Sequence, residues 1–262
     1  MNETKKAVFF DIDGTLWERD LQIPDSTRKA IDLLKKNGHY AFICSGRTRS
    51  FIRNEKLLSL GFDGIIAGCG TYIEFADEVL FHNMIEPELM NRTMDIFKKH
   101  KMLPILEGTK NIYVDQHTYD NEMYVGVLKQ ELGDDLLLIE QTDTPQICKF
   151  SVAINDISIE IVANELNPWY DLIVHGKEVM EVIPKGYSKA SGIMAVCEKL
   201  HIPLTETYAF GDSANDIEML TYVAHGVAMG NATKEVKEIA DYVTKDVKNG
   251  GIYHGLKHFG LI

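Results

Sequence analysis

A series of short apolar runs, each ending in a Gly- or Asp-rich turn, constrains the fold more than any other feature of this sequence. Short runs with few polar residues are typical of strands that are buried on both faces of a parallel sheet. The segments between several of these runs carry apolar residues at helical spacing, so strand and helix alternate toward both ends of the chain. The predicted fold class is therefore α/β, with a doubly wound parallel sheet. The predicted strands are residues 7–10, 40–44, 64–67, 207–210 and 226–229.

The segments between strands also contain helix start and stop patterns. Apolar residues at helical spacing occupy residues 27–34, and the segment stops at Asn37-Gly38, a pair that favours a left-handed C-cap. Comparable helices are predicted to follow Ser188, Asn215 and Thr233. We expect the helix after Thr233 to reach Val243, because the apolar spacing continues that far.

Residues 82–184 break this rhythm. A helix is predicted over residues 87–100, and alternating runs at 147–154 and 157–163 predict strands. Two further runs, 171–174 and 179–183, flank His175-Gly176-Lys177-Glu178, which is typical of a hairpin turn. We therefore predict an α+β cap domain at residues 82–184, inserted into a catalytic core made of residues 1–81 and 185–262.

Composition and charge limit the class of partner. The chain has 262 residues with 45% hydrophobic content, enough for a substantial core. Its 39 acidic residues outnumber the 27 Lys and Arg, and the resulting net charge of −12 repels nucleic acid and anionic membranes. We therefore expect neither nucleic acid nor a membrane as a partner, and an anionic substrate needs a local positive site.

The cysteines and the apolar stretches bear on the compartment. No basic segment followed by a long apolar stretch opens the sequence, and no later stretch is long enough to span a bilayer. The cysteines form neither a CxxC pair nor a dense framework, so we expect buried free thiols and a cytoplasmic protein. They are Cys44, Cys69, Cys148 and Cys197.

Two acidic clusters carry the clearest chemical pattern. Asp11-Ile12-Asp13-Gly14-Thr15 follows the first predicted strand directly, where open α/β sheets place their sites. The alternative is an Asp-rich turn in which Gly supplies an unusual backbone angle. A second cluster, Gly-Asp-Ser-Ala-Asn-Asp at residues 211–216, also follows an apolar run. On its own, this second cluster is equally consistent with an Asx turn that caps a helix.

Together the clusters predict a cation site. Parallel strands would bring Asp11, Asp13, Asp212 and Asp216 to one edge of the sheet, where the carboxylates repel unless a cation lies among them. All ligands would be oxygen atoms, which favours Mg²⁺ over Zn²⁺.

Two weaker patterns predict a phosphate site. Ser45-Gly46-Arg47 supplies a hydroxyl and a small residue at a third strand end, where backbone N–H groups can bind an anion. Lys189 falls in the first turn of a predicted helix, where a cation opposes the helix dipole unless an anion lies nearby. By itself, the first pattern indicates only an ordinary loop, and the second favours a solvated surface lysine.

In this order, Asp-x-Asp-Gly-Thr, Ser-Gly-Arg, Lys189 and Gly-Asp-x-x-Asn-Asp resemble the motifs of the haloacid dehalogenase superfamily of phosphohydrolases. The inserted segment resembles the large cap of the Cof-type, or type IIB, sugar-phosphatase branch. The chain departs from that branch in two places. Ser45 stands where Thr is more common, and Cys69 replaces a polar loop residue that is usually Asn.

The resemblance implies a mechanism. Asp11 would be the nucleophile that forms an aspartyl phosphate, and Asp13 would act as general acid and then as general base. The remaining residues fall into metal-binding, phosphate-binding, loop-supporting and substrate-reading groups. The metal group comprises Asp11, Asp13, Asp212, Ser213 and Asp216, with Asp216 behind the ion. The phosphate group comprises Ile12, Ser45, Gly46, Lys189 and Asn215. Gly14 and Thr15 would support the loop, and Arg47, His175 and Glu181 would read the substrate.

Several functions stay open at this point. The resemblance favours a phosphatase for sugar phosphates, but a phosphomutase needs only that water be excluded from the same intermediate. A phosphatase for nucleotides or pyridoxal phosphate, and a non-catalytic protein that binds phosphorylated ligands, also remain possible. A haloacid dehalogenase is disfavoured because carbon–halogen cleavage does not require the acid that Asp13 supplies.

Overall fold

The computed structural model describes residues 5–153, 159–175 and 179–262, with only the backbone of His175. The predicted turn at residues 176–178 lies outside the described residues. The elements are numbered in chain order. The strands are β1 (Ala7–Phe10), β2 (Tyr40–Cys44), β3 (Gly64–Ala67), β4 (Tyr72–Phe75), β5 (Glu78–His82), β6 (Leu103–Gly108), β7 (Ile112–Val114), β8 (Leu136–Leu138), β9 (Ile147–Ala153), β10 (Tyr170–His175), β11 (Val179–Pro184), β12 (Thr207–Gly211), β13 (His225–Ala228) and β14 (Tyr242–Val243). The helices are α1 (Asp25–Lys36), α2 (Glu55–Leu58), α3 (Pro87–Lys99), α4 (Gln116–Tyr119), α5 (Glu122–Leu132), α6 (Ile159–Leu166), α7 (Lys189–Leu200), α8 (Ile217–Tyr222), α9 (Lys234–Ile239) and α10 (Gly251–His258).

The chain divides into two compact units. The first, called the core unit, comprises Met1–Gly46, Arg53–His82 and Tyr187–Ile262. The second, called the cap unit, comprises Arg47–Ile52 and Asn83–Gly186. Sequence alone groups residues 47–52 with the core. In the structure, the Ser50 hydroxyl donates a hydrogen bond to the Gly108 carbonyl at 2.7 Å, and this bond attaches the segment to the cap unit.

The core unit is built on a sheet that, within the described residues, has eight strands in the order β14-β13-β12-β1-β2-β3-β4-β5. The pairs from β14 to β3 are parallel, which confirms the predicted fold class. Every residue of β1 is buried, and because successive side chains point to opposite faces, both faces of the sheet are covered there. Helix α1 packs against β2 and α10, while α7 packs against β2, β3 and α8.

Helix α1 shows why the sequence prediction worked in the core unit. Its buried residues are the ones that the helical spacing selected, and Gly38 after its end has a φ of 85°. An L-residue with a side chain rarely adopts this angle, so Gly stops the helix and turns the chain toward β2. The buried residues are Thr27, Ala30, Ile31 and Leu34.

Two features of the core unit differ from the expectation. Helix α9 ends at Ile239, and Tyr242–Val243 forms the edge strand β14. The chain leaves the helix because the Asp241 N–H donates to the Gly226 carbonyl at 2.9 Å, which starts the pairing with β13. The antiparallel hairpin of β4 and β5 extends the opposite edge of the sheet, and the sequence prediction of buried parallel strands does not include it.

The cap unit has its own sheet, in the order β10-β11-β9-β6-β7-β8. Side chains of α3 and α6 pack with Leu106, Phe150 and Val152 in one apolar core. Strands β10 and β11 are antiparallel neighbours, as the predicted hairpin requires. Among the described residues of both units, no helix is long and apolar enough to cross a membrane.

The prediction of a strand at residues 157–163 is wrong over residues 159–163, because helix α6 covers Ile159–Leu166. Residues 157 and 158 lie outside the described residues. The alternating isoleucines suggested a period of two. The buried side chains are instead Val162 and Leu166, four residues apart on one helical face, whereas Ile161 is 54% exposed. Packing against α3 selected the helical period over the strand period.

A matched pair of substitutions tests this correction. Leu166→Ala removes a fully buried side chain, so we expect a loss of about 2–5 kcal/mol in the free energy of unfolding of the cap unit. Ile161→Ala changes an exposed side chain, so the free energy should change by no more than about 0.5 kcal/mol. Urea unfolding monitored by circular dichroism measures both. A larger loss of unfolding free energy for Ile161→Ala than for Leu166→Ala would contradict the helix and favour the predicted strand.

Candidate active site

The carboxyl ends of β1 and β12 bring the two acidic clusters together. Phe10 and Phe210 are register partners, and the Asp11 N–H donates to the Phe210 carbonyl at 3.0 Å. Asp11 and Asp212 therefore leave the sheet side by side. One carboxylate oxygen from each of Asp11, Asp212 and Asp216 lies within 4.8 Å of the others. The structure thus brings together three of the four acidic residues that the sequence singled out as a cation site.

Lys189 lies inside this cluster. Its side chain is 1% exposed, and its ammonium group is 2.7 Å from Asp11 Oδ1 and 2.6 Å from Asp216 Oδ1. It also donates to Asn215 Oδ1 at 3.1 Å. The unfavourable position of a cation in the first turn of α7 is thus explained by neighbouring carboxylates. A capping box between Ser188 and Ser191 makes Ser188 the N-cap of α7, so Lys189 is the first residue of the helix.

Burial and charge act in opposite directions on this pair. Burial raises the pKa of Asp11 well above its usual value, and the nearby carboxylates of Asp216, Asp212 and Asp13 add to the rise, while Lys189 opposes it. Burial alone lowers the pKa of Lys189, but the attraction of Asp11 and Asp216 outweighs this effect and raises the pKa. The ammonium group therefore stays charged, and the carboxylates around it carry more negative charge than it can offset.

Asp212 also feels this excess of negative charge. Burial and the repulsion of Asp216 raise the pKa of Asp212 to about 7, although Lys189 opposes the rise. A carboxyl group with such a pKa is only partly ionised near neutral pH, and a nearby cation favours its ionised form. The donors are carboxylate oxygens in a buried cluster, and such oxygens are the ligands preferred by hard divalent cations. The residues present therefore fit a divalent cation.

Asp216 has a different role from Asp11 and Asp212. Its Oδ1 binds Lys189, and its Oδ2 accepts hydrogen bonds from the backbone N–H groups of Asp212 and Ser213 at 2.9 and 3.0 Å. Both oxygens are thus engaged in holding the loop. The Ser213 hydroxyl donates to Asn215 Oδ1 at 3.0 Å, so Ser213 and Asn215 also belong to this bracing network.

Gly14 lets the loop after β1 approach Asp212. Its φ is 83°, and a Cβ atom at this position would collide with the Asp212 carboxylate. Gly is therefore required by both the backbone angle and the space. Thr15, which is fully buried, donates from its hydroxyl to Asp212 Oδ1 at 3.4 Å. The residues predicted to support the loop thus lie directly against the second acidic cluster.

Asp13 lies apart from the buried cluster. Its side chain is exposed, and Oδ1 accepts a hydrogen bond of 2.9 Å from the indole N–H of Trp17. Trp17 itself is only 2% exposed. The two residues also form an isolated parallel bridge, and the Gly14 N–H donates to the Trp17 carbonyl at 2.8 Å. An exposed carboxylate is thereby held on a short, tightly folded loop.

The loop after β2 completes this edge of the sheet. Ser45 is 1% exposed, and its backbone pairs with Ile66 on one side and with the Cys69 N–H on the other. Cys69 has a φ of 54°, an angle that Asn tolerates better than most residues. Cys44 ties the loop to α7, because its thiol donates to the Lys189 carbonyl at 3.7 Å. Gly46 follows Ser45 and is buried as well.

Asn231 is a residue of the site that the motifs did not identify. Its side-chain N–H donates to the Gly14 carbonyl at 2.7 Å, and its Oδ1 accepts from the Val247 N–H at 3.1 Å. Asn231 therefore joins the loop after β1 to the loop before α10. Its position just beyond β13, at the same edge of the parallel sheet, was the available sequence signal.

The predicted substrate-reading residues lie in the cap unit. Glu181 on β11 is paired with the Lys149 ammonium group at 2.6 Å, and both are buried. Lys149 is on β9, and Glu107 on β6, the strand on the other side of β9, lies 3.7 Å from the same ammonium group. Arg47 begins the segment between Gly46 and Ile52, and its side chain is half-buried. His175 ends β10, and its side chain lies outside the described part of the chain.

Comparisons with known proteins agree with this geometry. The model of the haloacid dehalogenase-like hydrolase family matches residues 8–256. The Bacillus subtilis protein named "Putative phosphatase YkrA" is 37% identical over 260 residues, which cover 98% of each chain. The 5-amino-6-(5-phospho-D-ribitylamino)uracil phosphatase YitU of Bacillus subtilis is 28% identical over 278 residues, again with 98% of each chain covered. The solved structure of BT4131, a subclass IIB sugar phosphatase of the superfamily, has a TM-score of 0.85 and 32% identity, and the match covers 98% of this chain and 100% of that one.

The chain therefore belongs to the haloacid dehalogenase-like hydrolases. It is a phosphatase of this superfamily, and the phosphatases of the superfamily act by phosphoryl transfer on small phosphorylated substrates. Such phosphatases generally use a divalent metal, and the cluster of Asp11, Asp212 and Asp216 fits one.

The raised pKa of Asp212 predicts how stability depends on pH without metal. A carboxyl group that binds its proton more tightly in the folded state stabilises the fold at low pH, and this stabilisation is lost as the pH rises from about 4 to 7. We expect Asp212→Asn to reduce this decline in Tm, since the amide does not ionise.

Mg²⁺ at pH 8 should raise the Tm of the parent protein by about 3–5 °C and should leave that of Asp212→Asn nearly unchanged.

Differential scanning fluorimetry from pH 5 to 8, with and without Mg²⁺, measures both effects. Asp32→Asn, an exposed carboxylate on α1 paired with Lys36, is the matched control and should behave like the parent. An equal Mg²⁺ response in Asp212→Asn and in the parent would contradict the metal assignment.

Proposed function

We propose that this phosphatase is Mg²⁺-dependent and hydrolyses small phosphorylated metabolites, chiefly sugar phosphates, through an aspartyl phosphate on Asp11. One observation carries the proposal. The Asp11 carboxylate is buried beside a charged lysine, at 2.7 Å, and shares a cluster with two further carboxylates. This arrangement holds a nucleophile next to the positive charges that a phosphate ester requires.

In the first step, an oxygen of Asp11 attacks phosphorus and the bond from phosphorus to the leaving oxygen breaks. Lys189 orients Asp11 through Oδ1 and offsets negative charge on the phosphoryl oxygens, because its raised pKa keeps it protonated. Asp13, which is exposed above the buried cluster, gives its proton to the leaving oxygen.

In the second step, water attacks phosphorus and the bond to Asp11 breaks, which releases inorganic phosphate. Asp13 now accepts a proton from the water, so the same group returns to its acid form for the next turnover. The cycle consumes one water molecule and leaves Asp11 as a carboxylate.

Asp11 and Asp212, with the Asp13 carbonyl, would hold Mg²⁺, and Asp216 with Ser213 would brace them from behind. When bound, the ion supplies positive charge that allows a carboxylate to approach a phosphate dianion. The buried hydroxyl of Ser45, the backbone N–H groups of Ile12 and Gly46, and the side chains of Lys189 and Asn215 would bind the phosphoryl oxygens.

The sugar class rests on the cap unit and on similarity. One face of the cap sheet buries Glu107, Lys149 and Glu181, polar groups that suit a leaving group rich in hydroxyls. Because Glu181 is already paired with Lys149, binding a sugar there would require this ion pair to exchange partners. BT4131 is a sugar phosphatase, and YitU acts on a phosphorylated ribityl compound, so polyol phosphates belong to the candidate class.

A substrate panel separates the alternatives. We expect release of inorganic phosphate from hexose, pentose and polyol phosphates in the presence of Mg²⁺. Isomerised sugar phosphate without free phosphate would indicate a phosphomutase. Cleavage restricted to nucleotides or pyridoxal phosphate would contradict the sugar assignment.

Action in the cytoplasm is part of the proposal and is supported by free thiols at Cys44, Cys69, Cys148 and Cys197.

The nucleophile is tested by Asp11→Asn. The amide keeps the shape but attacks phosphorus poorly, so kcat should fall at least about 1,000-fold, and acid quenching should no longer trap protein-bound phosphate. Steady-state phosphate release and labelling from a ³²P-labelled substrate measure these effects, with Asp32→Asn as the control. Unchanged turnover in Asp11→Asn would refute the assignment.

A further inference from the structure

Trp17 makes a contact that the mechanism above does not use. Its indole N–H is 2.9 Å from Asp13 Oδ1, and the ring is almost fully buried while Asp13 is exposed. The contact is a single hydrogen bond, in which the indole N–H of Trp17 is the donor and the Asp13 carboxylate is the acceptor. A buried donor is therefore aimed at the one carboxylate to which the proposed function assigns proton transfer.

The backbone around Trp17 holds this donor in place. The Trp17 N–H donates to the Ile12 carbonyl at 3.3 Å, and the Trp17 carbonyl accepts from the Gly14 N–H at 2.8 Å. Asn231 in turn binds the Gly14 carbonyl. Because an indole has few rotatable bonds and is packed in the core, its N–H is a more rigid anchor than a hydroxyl or an ammonium group.

The chemistry of the donor suits both forms of Asp13. An indole N–H can only donate, and a carboxyl group keeps acceptor capacity when it is protonated, so the contact with Oδ1 can persist in the acid form and in the base form. Trp17 therefore holds the carboxyl group in one orientation while its proton leaves and returns.

We propose that Trp17 is a positioning residue that holds the Asp13 carboxyl group through Oδ1 in the orientation that proton transfer requires. This inference rests on the proposed function, in which Asp13 is the general acid and base. In the first step, the bond from the Asp13 carboxyl group to its proton breaks as the leaving oxygen receives that proton. In the second step, a water proton returns to the Asp13 carboxylate. The indole N–H is unchanged throughout.

The leaving group provides the test. The strongly basic oxygen of a sugar needs a proton as it leaves, whereas p-nitrophenolate leaves without one. The value of kcat/KM covers the steps up to the first irreversible one, the formation of the aspartyl phosphate, and so reports the acid role alone. We expect Trp17→Phe, which keeps an aromatic ring, to lower kcat/KM for glucose 6-phosphate by about 10- to 100-fold and for p-nitrophenyl phosphate by less than about 3-fold.

Trp169→Phe is the matched control, because Trp169 lies in the cap unit and does not supply the indole N–H that binds Asp13 Oδ1. The guanidinium carbon of Arg92 lies 4.2 Å from the centroid of the Trp169 ring. It should change neither value. Replacing Trp17 with 3-benzothienylalanine, which has the same ring shape with sulfur in place of N–H, is a second variant that preserves the packing. It should show the same dependence on the leaving group as Trp17→Phe. Equal losses on both esters, or no loss on glucose 6-phosphate, in this second variant would overturn the proposal.

Asp13→Asn separates this inference from the proposed function. If Asp13→Asn shows the dependence on the leaving group and the Trp17 variants do not, only the positioning role of Trp17 fails. If Asp13→Asn lowers kcat/KM equally for both esters, the general-acid assignment itself fails.

Discussion

The buried contact between Lys189 and the carboxylates of Asp11 and Asp216 is the interaction on which the site depends. Burying one ammonium group or one carboxylate alone is costly, and here each offsets the desolvation of the others. The offset is incomplete, because Asp212 and Asp13 add negative charge that Lys189 does not balance. This remaining charge is what makes the cluster suited to a divalent cation and, with it, to a phosphate ester.

The backbone around the cluster is shaped to bring like charges together. Gly14 allows the loop after β1 to lie against Asp212, and Asn231 holds that loop through the Gly14 carbonyl. Asp216 uses its second oxygen to bind the backbone of the Asp212 loop. These hydrogen bonds are independent of the metal, so the protein holds its carboxylates in place through neutral groups while their mutual repulsion opposes the arrangement.

The cap unit contains a second lysine buried between carboxylates. Lys149 lies between Glu181 and Glu107, and burial raises the pKa of Glu107 although Lys149 opposes the rise. The Thr48 hydroxyl donates to Glu107 at 3.1 Å, so the segment that directly follows the Ser45-Gly46 loop is anchored to this network. This anchoring explains why residues 47–52 belong to the cap unit although they follow β2 of the core unit.

The sequence by itself determined the buried strands of the core and the order of the motifs that identify the family. Strands such as β1 are apolar over their whole length, and the chemistry of Asp11, Lys189 and Asp212 depends on residue type, so both can be recognised without coordinates. The tertiary structure alone decided that residues 159–166 form a helix, that residues 47–52 join the cap unit and that Trp17 and Asn231 hold the loop after β1. The physical reason is that these features depend on partners distant in sequence or on the exact direction of one side chain, and local periodicity contains neither.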